Sequence, residues 1–210
     1  MRNLFIDTAS SRIIVAVTSC DQIISIRNEQ NDHDLSTRIF PIIDSVLKEA
    51  HVLPKELDTI YIVNGPGSFT GVRIGVTIAK TMAWSLKKKI IPISELELMA
   101  TTPFSGDYIA TYIDARRDAS FAGIYDQEGN ILLQDQYITN DELLKRLPES
   151  KTTVFVGYDK VDKFPNMEPN VDILKIINRH KNDEQKNPHE INPIYLKKTE
   201  AEEKLEAGSL

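Results

Sequence analysis

The chain has 210 residues, 41% hydrophobic and 27% charged, enough to bury a core in one large domain or two small ones while staying soluble. Its formal charge of −6 argues against a protein that grips a nucleic-acid backbone alone, because phosphate contact needs clustered Lys and Arg. A single cysteine, Cys20, excludes an internal disulfide and suits a reducing cytosol, no apolar run is long enough to span a bilayer, and His33, His51, His180 and His189 show no metal-ligand spacing.

Arg2 leads at once into strand-like sequence rather than a signal peptide. Asn3–Asp7 reads as a first strand, followed by a polar turn over Thr8–Ser11. Arg12–Thr18 and Gln22–Arg27 read as two more, joined at Cys20-Asp21, so the chain opens on an antiparallel meander. Asn28–Ser36 is polar and reads as a loop. Ile39, Ile42, Ile43, Val46, Leu47 and Ala50 then form a helical stripe, with Pro41 expected near its start. Asp58–Val63 is a buried strand by composition. Val72, Val76, Ala79, Met82, Ala83 and Leu86 give a second helix with apolar residues on more than one face. Lys87-Lys88-Lys89 complement the negative end of its dipole. Ile90–Ile93 is a short strand, and Ser94-Glu95-Leu96-Glu97 is a capping box opening a helix to about Ala100.

Thr102–Gly106 marks the boundary between a unit over residues 1–101 and a smaller one over 107–210. Beyond it, Tyr108–Ile113, Ala119–Tyr125, Ile131–Leu133 and Thr153–Gly157 read as strands. A capped helix over Thr139–Leu147 is ended by Pro148. From Tyr158 to Pro193 the sequence is polar and hard to assign, except for an apolar run at Ile173–Ile177. The tail from Thr199 reads as a short charged helix or as disordered chain. The order of elements suggests a duplicated α/β unit.

The most distinctive stretch is Asn64-Gly65-Pro66-Gly67-Ser68-Phe69-Thr70-Gly71-Val72-Arg73-Ile74-Gly75, between the fourth strand and the second helix. Gly65 and Gly67 permit positive φ or close backbone approach, and Pro66 stiffens the turn. A Walker loop would need Lys-Ser/Thr where Val72-Arg73 stand. A dinucleotide fingerprint would need two residues, not three, between Gly67 and Gly71. A nucleophile elbow fails because Ser68 directly follows Gly67. Spacing alone favours a tight turn that packs helix on strand.

The run Gly65–Gly75 nevertheless resembles the signature of the bacterial TsaB family. Ile6-Asp7-Thr8, Asp114-Ala115-Arg116-Arg117 and Pro193-Ile194-Tyr195-Leu196 resemble further family pieces and arrive in the same order. The resemblance implies an actin-like ATPase (ASKHA, ribonuclease H-like) α/β fold with two subdomains around a cleft. It implies a role in making threonylcarbamoyladenosine next to the anticodon of tRNAs that read codons beginning with A. There TsaD is the catalytic subunit, TsaE an ATPase, and TsaB the partner that binds TsaD. Two departures stand out. Where many members carry a histidine at the start of the first helix this chain has Leu35, with His33 two residues earlier, and Tyr158–Pro193 matches no family piece.

The expectation is a cytoplasmic, non-catalytic subunit with no cofactor and no metal. Its partners are TsaD and TsaE homologues, or a second copy of itself when TsaD is absent, and it reaches tRNA only through the complex. In actin-like ATPases the turn after the first strand wraps a phosphate and needs glycine. Asp7–Ser11 has none, so no tight ATP binding is expected. Adenosine sites in that fold use adjacent glycines, and Gly157-Tyr158-Asp159-Lys160 offers one. Asp7 and Asp114 read as turn-capping aspartates. The alternative is a peptidase or ATP-dependent transferase of the glycoprotease superfamily, for which Ser68 is the serine in a distinctive turn. Gly65, Pro66, Gly67, Ser68, Phe69, Thr70, Gly71 and Arg73 are expected to form the structural or partner-binding turn. Ile39, Ile43, Val46, Ile74, Ile78 and Met82 are expected to form an outward interface on the two helices.

Overall fold

A computed structural model describes residues 1–31 and 34–197. His33 and the charged tail from Thr199 lie outside the described residues. The polypeptide forms two five-stranded sheets. The first contains β1 (Arg2–Asp7), β2 (Arg12–Ser19), β3 (Gln22–Gln30), β4 (Thr59–Val63) and β5 (Lys89–Ile93), in the order β3-β2-β1-β4-β5. The second contains β6 (Tyr108–Asp114), β7 (Ala119–Asp126), β8 (Ile131–Thr139), β9 (Thr153–Val156) and β10 (Asn166–Met167), in the order β10-β9-β6-β7-β8.

Read from each meander outward, the two orders are the same. The first three strands of each unit pair antiparallel, and the fourth and fifth add in parallel beside the first. Topology therefore supplies the duplication that the sequence only suggests. A helix follows the third strand in both units: α1 (Leu35–Glu49) after β3 and α4 (Asn140–Lys145) after β8. The units diverge after the fourth strand. α2 (Phe69–Leu86) lies between β4 and β5, whereas no helix separates β9 from β10. α3 (Glu95–Met99) and α5 (Ile173–His180) follow the fifth strands.

Every residue of β4 is buried, and so are the interiors of β1 and β2. Strands covered on both faces carry continuous apolar sequence, which explains the Ile-Tyr-Ile-Val and Ile-Ile-Val-Ala-Val runs. α1 and α2 pack on this sheet beside one another. Pro41 sits inside α1 rather than at its start, because the helix begins at Leu35. The lysines after α2 are not in its last turn: Lys87 is the left-handed cap, and Lys88 Nζ donates to the Lys55 carbonyl at 2.7 Å.

The expected second unit over 107–210 does not keep all of its residues to itself. Ile173, Ile176 and Ile177 of α5, with Ile191, instead join the first sheet's core. Glu97 explains how α5 is fixed. The expected capping box is half formed, for Ser94 Oγ accepts the Leu96 and Glu97 amides, but the Glu97 carboxylate turns to α5. There it meets Arg179 at 3.2 Å and His180 Nε2 at 3.0 Å. An ion pair thus replaces the second half of the box.

Candidate functional site

The glycine-rich turn holds the start of α2 against the end of β1. Ser68 N–H donates to the Ala9 carbonyl at 2.7 Å, and Thr8 Oγ1 donates to the Gly71 carbonyl at 2.8 Å. This approach leaves no room for side chains. A Cβ on Gly71 would stand 2.0 Å from the Thr8 carbonyl oxygen, and one on Gly67 would stand 2.3 Å from that of Ala9. Gly65 has φ 117, and its carbonyl accepts the Glu95 amide at 3.0 Å. The Gly65-Pro66 bond is cis. Ser68 caps α2, its Oγ accepting the Gly71 amide at 3.2 Å. A short oxygen acceptor satisfies one of the orphan amides of the first turn. The serine that looked distinctive is therefore committed to the helix start.

Phe69, Thr70 and Arg73 point outward from that start. The Arg73 guanidinium lies 3.7 Å from the centre of the Phe69 ring, and its Nε donates to Tyr195 Oη at 2.7 Å. Farther along α2, Lys80 Nζ donates to the His189 carbonyl, and Trp84 meets the His189 ring edge-on. The chain's own segment 188–195 thus supplies part of the cover that the two-sided apolar character of α2 demands. The sequence marked Pro193–Leu196 only as a family piece and gave no sign that the segment packs on α2, since its contacts span more than a hundred residues.

The expected interface residues divide. Ile39, Ile43, Val46 and Ile78 are buried in the first core, and Ile74 and Met82 are half-buried against it. The outward apolar residues are different ones: Phe40 on α1 and Phe69 and Trp84 on α2, exposed by 58%, 52% and 63%. The stripe of Val72, Val76, Ala79 and Ala83 marks the inward face, and Ile78 beside it is buried as well.

Between the units, Ala9, Ser10, Ser11, Gly67, Ser68, Ile113, Tyr158 and Asp159 line a cleft of about 300 Å³. Ala9, Ser10 and Ser11 of the turn after β1 form one wall of it. Gly157 is tight against Tyr112, where a Cβ would come within 2.7 Å of the carbonyl oxygen. Tyr158 fills space beside Ser10 and is half-buried. Asp114 Oδ1 accepts the Arg116 amide and Asp7 Oδ1 accepts the Ala9 amide, so each aspartate caps its own turn.

Asp7 does more than cap. It is fully buried beside Glu95, which the sequence reading treated only as part of a capping box. Burial raises the Asp7 carboxyl to about 7, against the opposing pull of the Ala9 amide and Glu95. Burial, followed by the charge of Asp7, holds Glu95 well above the usual carboxylate range. Among the described residues no group of three His, Cys, Asp or Glu side chains is placed to hold a metal ion, and no helix is long and apolar enough to cross a membrane.

Known proteins share both sequence and shape with this chain. The model of the family described as TsaD, tRNA N6-adenosine threonylcarbamoyltransferase, matches residues 24–173. The tRNA threonylcarbamoyladenosine biosynthesis protein TsaB of Bacillus subtilis is 36% identical over 165 residues, spanning 76% of this chain and 72% of that protein. TsaB of Haemophilus influenzae is 37% identical over 92 residues, spanning 42% of this chain and 39% of that protein. A Pseudomonas aeruginosa protein described as similar to the peptidase YeaZ superposes with a TM-score of 0.77 at 22% identity, covering 93% of this chain and 99% of its own. YeaZ from the same organism superposes at 0.69 and 20% identity, with the same coverage. These likenesses of shape carry the α/β fold, the family-model match is consistent with the actin-like architecture, and the sequence match carries the family: the chain belongs to the TsaB family.

Proposed function

We propose that this chain is a non-catalytic partner subunit of a TsaD homologue. The reaction it serves is threonylcarbamoyl transfer to the adenosine next to the anticodon of tRNAs that read codons beginning with A. The observation that carries the reading is the outward aromatic face of α1 and α2, where Phe40, Phe69 and Trp84 are exposed. Large apolar side chains exposed on neighbouring helices mark an interface. Two helices from each of two similar folds would make a four-helix contact that buries the aromatics of both. The docking face is thus moved from Ile39, Ile43, Val46 and Ile78 to these aromatics, with Ile74 and Met82 at its margin.

The same face serves a second copy of the chain when the TsaD homologue is absent. A TsaE homologue and tRNA join through the complex, in the cytoplasm, and the net charge of −6 fits a subunit that does not hold tRNA alone. The chain itself uses no nucleotide or metal. Its turn Asp7–Ser11 has no glycine for backbone approach to a phosphate, and Tyr158 packs beside it.

Co-purification from the native cell tests this reading. A tagged chain is expected to recover the TsaD and TsaE homologues, and Trp84→Arg to lose both. Recovery of neither by the unmodified chain, or equal recovery by the variant, overturns it. Calorimetry of the isolated chain with ATP is expected to show no tight binding. A micromolar dissociation constant that is abolished by changing Asp7 or Thr8 would return the chain to the nucleotide-dependent class.

A further inference from the structure

Asp7 and Glu95 stand apart from every other carboxyl among the described residues, because neither exposes any surface. Three of their four oxygens have no hydrogen-bond partner: Asp7 Oδ2, Glu95 Oε1 and Glu95 Oε2. The fourth, Asp7 Oδ1, accepts the Ala9 amide at 2.8 Å. The two carboxyls lie side by side, within reach of a hydrogen bond if one of them carries a proton. Two ionised carboxylates in a dry interior repel strongly, whereas an acid beside a carboxylate attracts and satisfies two of the orphaned oxygens.

Among the described residues the ion pairs formed around α3 do not reach the three oxygens. From the segment after β9 the pair faces Tyr158, on which Arg12 of β2 also acts. From β8 comes Asp135, hydrogen-bonded to Ser94 Oγ immediately before Glu95. On α3 itself, Glu97 is engaged with Arg179 and His180 of α5. The backbone around the pair grips both sides of the glycine-rich turn. Asp7 fixes Ala9, whose carbonyl accepts the Ser68 amide, and the Glu95 amide donates to the Gly65 carbonyl.

We propose that Asp7 and Glu95 share a single proton in the folded chain, and that this O–H···O bridge is a pH-sensitive latch holding the start of α2 between β1 and α3. As pH rises the proton leaves to solvent and no other covalent bond changes. The two carboxylates then oppose one another, pushing the start of α3 from β1 and weakening the Glu95 amide's bond to Gly65. The latch is a property of the chain alone and stands whether or not the docking reading holds.

The test uses the full chain and Glu95→Gln, whose amide supplies Asp7 with a permanent donor and carries no shared proton. Urea unfolding is followed from about pH 4 to about pH 8, a span that covers the shift of Asp7 from the ordinary 3.8 to about 7. The folded chain binds a proton that the unfolded chain releases, so the unfolding constant of the wild type climbs with pH. The wild-type slope is expected to exceed that of Glu95→Gln by up to tenfold per pH unit for the one proton. Amide exchange at Ser68 and Glu95, compared at equal pH, should speed up in the wild type alone at the alkaline end. An infrared carbonyl band of a buried carboxylic acid should appear in the wild type at about pH 6, and it needs no variant to fold. Should Glu95→Gln fail to fold, Asp7→Asn and the infrared band decide. Equal slopes, a missing acid band, or an acid band that persists unchanged in Asp7→Asn and Glu95→Gln overturns the shared proton.

Discussion

Gly71 shows how one residue sets the geometry of the whole of α2. Its α-carbon faces the Thr8 carbonyl so closely that an added Cβ would stand 2.0 Å from the oxygen. Both groups are backbone, so neither can swing aside as a flexible side chain would. Gly71→Ala is expected to destabilise the fold by about 1–3 kcal/mol or more, as overpacking does. Thermal or urea unfolding measures it, and a change of less than about 0.5 kcal/mol would mean that the helix start yields freely. At Ser68 the hydroxyl caps α2, so a serine-directed covalent probe is expected to leave it unlabelled. Ser68→Ala should cost about 1 kcal/mol of stability as a lost cap.

At the scale of elements, α5 is tied to α3 by a titratable contact. His180 lies between Glu97 and Asp183, at 3.0 Å and 2.7 Å. Burial alone would lower its pKa, but the hydrogen bonds to Glu97 and Asp183 outweigh burial and the net shift is upward from 6.5. The Glu97 carboxyl moves the other way. Burial pushes it up, but His180 and Arg179 together hold it below 4.5. The signs fix a window. A raised histidine stabilises below its unfolded value and loses that contribution as pH climbs through the folded one. A lowered carboxyl stabilises above its unfolded value and loses that contribution as pH falls through the folded one. The α3–α5 contact is therefore strongest between about pH 4.5 and about pH 6.5. Amide exchange along Ile173–His180, taken relative to the unstructured rate at each pH, should slow within that window and quicken on either side. His180→Gln should remove the alkaline-side change and leave the acid-side one, which depends on Glu97 and Arg179. Unchanged exchange across the whole range would show that α5 is held by Ile173, Ile176 and Ile177 alone.

At the scale of the molecule, burial separates the residues that hold the fold from the exposed ones that the proposed contact would use. Trp84→Arg and Phe69→Glu alter side chains already in water, so circular dichroism should stay unchanged while light scattering shows self-association lost. Ile78→Glu places a charge at a position only 6% exposed, and it should unfold the chain rather than simply dissociate it. If Ile78→Glu folds normally, or if both exposed variants remain associated, the contact lies on another surface.

What the sequence determined by itself is local. Alternation and β-branched composition located nine of the ten strands, and the stripes located α1 and α2 to within a few residues. Only β10, two residues long, carried no pattern, and α5 showed merely as an apolar run because a short helix shares its signature with a buried strand. Asx and cap chemistry at Asp7, Asp114, Ser94 and Thr139 was legible because each acts on amides two or three residues away. The glycine spacing excluded the common nucleotide motifs, and the resemblance it carried led to the family. The tertiary structure decided everything that depends on distant partners. It decided which side of α2 is outward, because a residue such as Ile78 is buried by what packs on the helix and not by its spacing. It drew the Glu97 carboxylate away from the Ser94 amide to His180 and Arg179, over eighty residues along the chain. It returned α5 and segment 188–195 to the first unit. It also set Glu95 against Asp7, 88 residues apart, where the exclusion of water rather than any motif gives two carboxyls their altered chemistry.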